Sequence, residues 1–360
     1  MNIVSVVGTR PQLIKAAALQ PLLRARHNDA FVDTGQHWDD EMAGTFFREL
    51  GLAAPDHSLG VGGGTHTEQT AGMLAALEPI LIDARPDAVL VYGDTNSTLA
   101  AALAAAKLSI PVAHVEAGLR SFDRTMPEEI NRVVADHLSH WLFAPTPTAV
   151  ANLRAEGIAS GVVLVGDLML DLAARMAPTV RDPASLPDGL QPGGYLFATV
   201  HRAENREPAS LASWARLLDR VATPERPVVL AIHPGTRAAL ERHAIDVGPN
   251  VRLVAPQGYR TSLALQLHAA AVLTDSGGVQ RESAWLGVPC LVLRDTTEWI
   301  EAVEDAGGRM VVIGLDAERA SQELRRLAPG DRSEALARTR AEALELRPAG
   351  AAEAIVEALG

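Results

Sequence analysis

Short apolar runs recur along the chain, and each is followed by a small or polar turn and a longer stretch with helical spacing. IVSVV (3–7) reads as a strand, and Pro11 to Arg26 as a helix with proline at its first position. AVLVYGD (88–94), IPVAHVEAG (110–118), WLFAPT (141–146) and VVLVGD (162–167) continue the strand series. YLFATVH (195–201), VVLAIHP (228–234), VRLVAP (251–256), AVLTD (271–275) and PCLVLRD (289–295) extend it. Strands alternating with helices on this scale predict βαβ units and parallel sheets, an α/β fold. RDPASLPDGLQPGG (181–194) is rich in Pro, Gly and Asp and reads as a linker. It separates an N-terminal domain, 1–180, from a C-terminal domain, 195–360, whose final helix is free to pack back on the first. Residues 93–118 and 274–298 echo one another: strand end, Asp, small hydroxyl residue, helix, proline, strand. The expectation is two Rossmann-like, doubly wound domains facing a cleft, with ligands at the carboxyl ends of strands.

Composition narrows the function classes. The chain has 360 residues, enough for two cores, and is 48% hydrophobic but only 4% aromatic, which suits helices on parallel sheets. The formal net charge of −12 argues against nucleic acid or an anionic membrane as partner. An anionic ligand must then be held by local cations and helix N-termini. Cys290 is the only cysteine, so neither an intramolecular disulfide nor a cysteine metal site is expected, in keeping with a reducing compartment. MNIVSVVGTRPQ lacks the features of a signal peptide, and no apolar run approaches the length of a membrane span, so the expected location is cytoplasmic.

Candidate chemistry gathers just past strand ends. In AVLTDSGGVQRE (271–282) a strand turns through Ser276, Gly277 and Gly278 into a helix, whose first N–H groups and dipole favour a phosphate. Glu282 lies on that helix, where a carboxylate can accept from sugar hydroxyls; the alternative is a capped Gly-Gly turn. Arg10 and Lys15 put positive charge beside a second helix start, and the alternative for both is an ordinary surface cation. Asp94, Glu116 and His201 end strands, where α/β enzymes place catalytic groups, and Glu128 and Glu129 follow in MPEEINR. Helix capping competes for Asp94, and solvation for Glu128 and Glu129. His233 in AIHP is either a ligand contact or a half-buried structural histidine. His27, His57, His66, His137, His140, His243 and His268 read as surface or packing residues. No HExxH, Walker A or GxSxG pattern occurs, and GVGGGTH (60–66) reads as a mobile loop rather than a dinucleotide site.

Seven blocks stand in order along the chain: GTRPQLIK (8–15), TGQHWDDEM (34–42), YGDTNST (92–98), HVEAGLRSFD (114–123), MPEEINR (126–132), TVHRAEN (199–205) and TDSGGVQRESAWLGVPCLVLRDTTE (274–298). Together they resemble the non-hydrolysing UDP-N-acetylglucosamine 2-epimerases. The resemblance implies the GT-B architecture, a homodimer, a UDP-sugar substrate and no NAD or metal cofactor. It implies inversion at C2 by elimination of UDP to a 2-acetamidoglucal and re-addition. By the same resemblance Asp94, Glu116 and Glu128 match the catalytic carboxylates and His201 the active-site histidine. Arg10, Lys15, His201 and the N–H groups of Ser276, Gly277 and Gly278 would hold the diphosphate, and Glu282 the ribose. His233, Tyr259 and Arg294 complete the expected substrate contacts.

Three positions depart from the pattern. Trp299 and Ile300 follow Glu298 where the family often has Arg-Pro, removing one expected phosphate cation. Ser262 stands where an aromatic residue often packs near the uracil, while Tyr259 remains. Gln36 and His37 match part of an allosteric substrate site found in one branch, but the arginine expected after the Gly-rich loop is not evident in THTEQTAGM. Relatives acting on UDP-2,3-diacetamido-2,3-dideoxyglucuronate share several of the blocks, so that sugar is the alternative substrate. A GT-B glycosyltransferase is a further alternative, against which the N-terminal carboxylates argue, since acceptor transfer does not call for that many. A non-catalytic UDP-sugar sensor is the last, against which competent residues at every catalytic position argue.

Overall fold

The computed structural model describes residues 1–36, 47–327 and 346–360. The chain divides into two compact units, Met1–Leu172 with Pro348–Gly360, and Ala173–Arg347. The division falls inside the helix Leu168–Val180 and again after Arg347, and residues 183–185 of the Pro-rich stretch form a short 3-10 turn.

The first unit is built on strands β1 (Asn2–Val7), β2 (Asn28–Asp33), β3 (His57–Ser58), β4 (Ala88–Tyr92), β5 (Val112–Val115), β6 (Trp141–Ala144) and β7 (Val162–Leu164). They form one parallel sheet in the order β3-β2-β1-β4-β5-β6-β7. Its helices include α1 (Arg10–Arg26), α2 (His66–Ala84), α3 (Asn96–Lys107), α4 (Pro127–Leu138) and α5 (Pro147–Ala155). The second unit carries β8 (Leu196–Val200), β9 (Val228–Ile232), β10 (Val251–Val254), β11 (Ala271–Thr274), β12 (Cys290–Val292) and β13 (Met310–Val312), all parallel, in the order β10-β9-β8-β11-β12-β13. Near-continuous apolar strands such as AVLVY, buried at every position, are what a sheet covered on both faces requires. The first core packs Val4, Val6, Val89 and Val91 against Met73, Leu77 and the alanines of α3. The second packs Leu196, Val228, Leu230 and Leu273 around Trp214. The last helix, Ala351–Leu359, belongs to the first unit: Asp171 accepts the N–H groups of Gly350 and Ala352 at its start.

Strand order reverses between β1 and β4 in one sheet and between β8 and β11 in the other. Such switch points open a crevice at the carboxyl ends of the strands. Gly8 to Arg10 and Gly93 to Asp94 stand at the first, and His201 to Arg202 and Asp275 to Gly278 at the second. The strands β2, β3 and β13 were not among those expected from sequence. NDAFVD is too polar and HS too short to stand out, and MVV is a short run directly behind the charged Arg309. GVGGGTH is a loop that ends at Thr65, whose hydroxyl accepts the Glu68 N–H and caps α2.

Candidate active site

In the first unit, Lys15 is no surface cation. It is buried on α1, and its ammonium pairs with Glu116 Oε2. Glu116 follows β5 with φ of 72°, a left-handed conformation that costs a non-glycine residue about 1–3 kcal/mol and is held by its N–H bond to Phe143 O. Gly93 faces this pair. It has φ of 63°, and a Cβ there would stand 3.0 Å from Lys15 Nζ and 3.3 Å from Glu116 Oε2. Any larger residue would press on the ion pair.

Asp94 is not the helix cap that its position allowed; Thr95 caps α3 with its hydroxyl on the Thr98 N–H. The Asp94 carboxylate instead receives Arg132 Nη2, while its carbonyl accepts Asn131 Nδ2 at 2.9 Å. Arg132 Nη1 also donates to Glu129 at 3.0 Å. Glu129, read from sequence as open to solvation, is buried and accepts the N–H groups of Ser121 and Phe122 and the Ser121 hydroxyl. Glu128 is half-buried in the first turn of α4, four residues before Arg132 and so on the same helical face. Arg10 opens α1, half-buried. Gln36 accepts the N–H and hydroxyl of Ser97, and His37 lies outside the described residues.

In the second unit, Asp275 is fully buried and accepts the N–H groups of His201 and Arg202 and the amide of Asn205. It fixes the turn after β8 against the turn after β11, with His201 Nδ1 3.4 Å from its carboxylate and the ring half-exposed. The helix Gly277–Trp285 starts at Ser276, whose hydroxyl accepts the Val279 N–H. The Ser276 N–H is taken by Thr274 Oγ1 at 3.0 Å, so the outward donors are those of Gly277 and Gly278, which have no acceptor one turn back in the helix. Glu282, buried, accepts Gln266 Nε2 at 2.6 Å.

Glu298 binds both Arg294, at 2.7 Å, and Arg202, at 3.2 Å. Burial alone would raise its pKa, but the two guanidinium groups bring the carboxyl down to about 2. Trp299, in the place of the expected arginine, lies under Arg281 with the guanidinium carbon 3.6 Å from the ring centroid. A Cβ on Gly277 would meet that indole at 3.0 Å. Tyr259 opens the helix Tyr259–His268 as a buried residue. His233 is exposed rather than half-buried and caps the helix Pro234–Arg242, its Nδ1 accepting the Gly235 N–H at 3.1 Å.

Sequence reasoning missed Arg132, which binds Asp94, Gln266, which binds Glu282, Asp275, which binds the His201 N–H, and Arg202, which shares Glu298 with Arg294. Only Arg202, next to His201, and Asp275, beside Ser276, carried a local signal.

Comparison with known proteins gives this geometry a context. The sequence profile described as UDP-N-acetylglucosamine 2-epimerase matches residues 23–360. A UDP-N-acetylglucosamine 2-epimerase homolog of Methanococcus maripaludis is 43% identical over 91% of this chain and 93% of its own. The UDP-2,3-diacetamido-2,3-dideoxy-D-glucuronate 2-epimerase of Pseudomonas aeruginosa is 43% identical over 87% of this chain and 88% of its own. The crystal structure of the Methanocaldococcus jannaschii UDP-GlcNAc 2-epimerase, in complex with UDP-GlcNAc and UDP, superposes with a TM-score of 0.83 at 37% identity, covering 92% and 94% of the two chains. The protein is therefore an α/β enzyme of the isomerase class. It belongs to the UDP-N-acetylglucosamine 2-epimerase family.

Proposed function

We propose that the protein inverts C2 of a UDP-N-acetylhexosamine, converting UDP-N-acetylglucosamine to UDP-N-acetylmannosamine. The observation that carries this reading is the set of carboxylates after β4 and β5 and on α4, two of them set by buried cations: Glu116 by Lys15 and Asp94 by Arg132. The C2 hydrogen has no adjacent carbonyl and is not acidic, so direct deprotonation is closed. Elimination opens a route. A carboxylate takes the C2 proton as the C1–O bond to UDP breaks, leaving a C1=C2 double bond. UDP then adds back at C1 while a second acid delivers a proton to the other face of C2. The reaction needs a base, an acid and strong stabilisation of the departing diphosphate. Asp94, Glu116 and Glu128 supply the acid and base groups. Gly277, Gly278 and His201, with Arg10 among the cations, receive the diphosphate, and Glu282 the ribose. Lys15, committed to Glu116, contributes through that carboxylate.

The same chemistry fits UDP-2,3-diacetamido-2,3-dideoxyglucuronate, and the Pseudomonas aeruginosa relative supports that second reading. Incubation with each UDP-sugar in D2O separates the two. The true substrate yields its C2 epimer with deuterium at C2, and absence of both epimer and exchange on UDP-N-acetylglucosamine excludes that sugar. The family resemblance also supports a homodimer, tested by light scattering. Among the described residues no helix is long and apolar enough to cross a membrane, and a cytoplasmic location is part of the same proposal.

A further inference from the structure

His114 sits on β5, opposite Val91 of β4, and is fully buried. Its Nε2 lies 2.7 Å from the carbonyl oxygen of Gly93, and its Nδ1 lies 2.7 Å from Asp136 Oδ1. A carbonyl oxygen only accepts. The Asp136 carboxylate, which also accepts from Arg120 Nη1 at 2.7 Å and from the Gly118 N–H at 3.1 Å, is an acceptor as well. Burial works against the charge on Asp136, but His114 and Arg120 together hold its carboxyl below the usual range. Both ring nitrogens therefore face acceptors, and only an imidazolium carries a hydrogen on each. Arg120 in turn is held by Glu156, at 2.7 and 2.8 Å.

The bonds end at informative places. Gly93 precedes Asp94, and Gly118 is two residues past Glu116, the strained residue after β5. Asp136 is on α4, the helix that also carries Glu128, Asn131 and Arg132. One buried ion pair thus ties the turn after β4, the turn after β5 and α4, each of which carries one proposed catalytic carboxylate.

We infer that His114, as a buried imidazolium paired with Asp136, is a positioning residue that fixes Asp94, Glu116 and Glu128 relative to one another through Gly93, Gly118 and α4. It touches no substrate and acts only through those groups. The inference rests on the epimerase reading. Misplacing a catalytic group by about 1 Å can cost 10²-fold in rate.

The test uses the full-length protein. In 15N-histidine-labelled wild type at pH 7.5, two ring N–H signals should belong to one histidine and vanish in His114→Gln. That variant keeps one donor and loses the other. Its kcat for C2 exchange should fall about 10²-fold, with KM and the Kd for UDP within about twofold, because the diphosphate contacts are untouched. Asp136→Asn still lets a neutral His114 donate to Gly93 O while its amide donates to Nδ1, so its loss in kcat should be smaller. A single ring N–H in wild type overturns the inference, even if His114→Gln does not fold. So does wild-type kcat in a folded His114→Gln, or a larger loss in Asp136→Asn than in His114→Gln. Failure of wild type to exchange deuterium on any UDP-N-acetylhexosamine is a different result: it overturns the functional reading.

Discussion

Arg132 Nη2 lies 2.5 Å from Asp94 Oδ2, and the same guanidinium donates to Glu129 through its other nitrogen. One planar fork therefore sets a half-exposed carboxylate by leaning on a buried one. Glu129 is itself fixed by the Ser121–Phe122 backbone, so the orientation of Asp94 is inherited from a loop it does not touch.

Arg132→Lys keeps the charge but loses the fork, since an ammonium cannot hold two carboxylates in fixed directions. Its kcat is expected to fall toward the 10²-fold lower end of what a general acid or base contributes, about 10²–10⁴. The Kd for UDP should stay near that of wild type. Steady-state kinetics and calorimetric titration with UDP check both halves, and a weakened UDP affinity with unchanged kcat would place Arg132 elsewhere in the mechanism.

Lys15→Met leaves the Glu116 carboxylate buried without its cation. Breaking a buried pair in this way costs about 3–5 kcal/mol. The melting temperature should drop by several degrees and turnover should collapse. Double replacement, Lys15→Met with Glu116→Gln, should recover stability but not turnover. Thermal unfolding of the three proteins reads the first effect and C2 exchange the second.

Glu282→Gln weakens a charged acceptor to a neutral one, and a hydrogen bond to a charged group is worth about 1.5–3 kcal/mol. UDP affinity should fall about tenfold or more, while kcat at saturating substrate stays within a few-fold. Gln266→Leu, which frees Glu282 from its 2.6 Å partner, should weaken UDP binding in the same sense but less. Titration with UDP measures both.

Glu298 is ionised in the fold down to about pH 2, against 4.5 for a free glutamate. A depressed carboxyl stabilises the fold fully above the unfolded value and loses that contribution as pH falls toward the folded one. The shift corresponds to on the order of 3 kcal/mol at neutral pH. In urea unfolding, Glu298→Gln should be less stable than wild type at pH 7. The gap should narrow as pH drops from 4.5 toward 2, and a constant gap would show that the Arg202 and Arg294 contacts do not depend on its charge.

Much of the frame was legible before any coordinates. The apolar runs marked the strands of both sheets except β2, β3 and β13, because a strand buried on both faces leaves its record in consecutive residues. Ser276, Gly277 and Gly278 announced a helix start, since capping and small residues are local requirements. Asp94, Glu116 and His201 stood at strand ends for the same reason. Sequence could not say what each polar group does. It left Lys15 between a phosphate contact and a surface cation and Asp94 between a catalytic group and a helix cap, and it passed over His114.

Only the tertiary structure decided those points, because the partners are far apart along the chain. Lys15 meets Glu116 across 101 residues, Arg202 meets Glu298 across 96, and His114 meets Asp136 across 22. Hydrophobic periodicity and capping act within a few residues, so the sequence by itself determined the two parallel-sheet units and the turns that carry the candidate groups. An ion pair depends on which turns the sheet order brings side by side, and β1 lies next to β4 only once the sheet has formed.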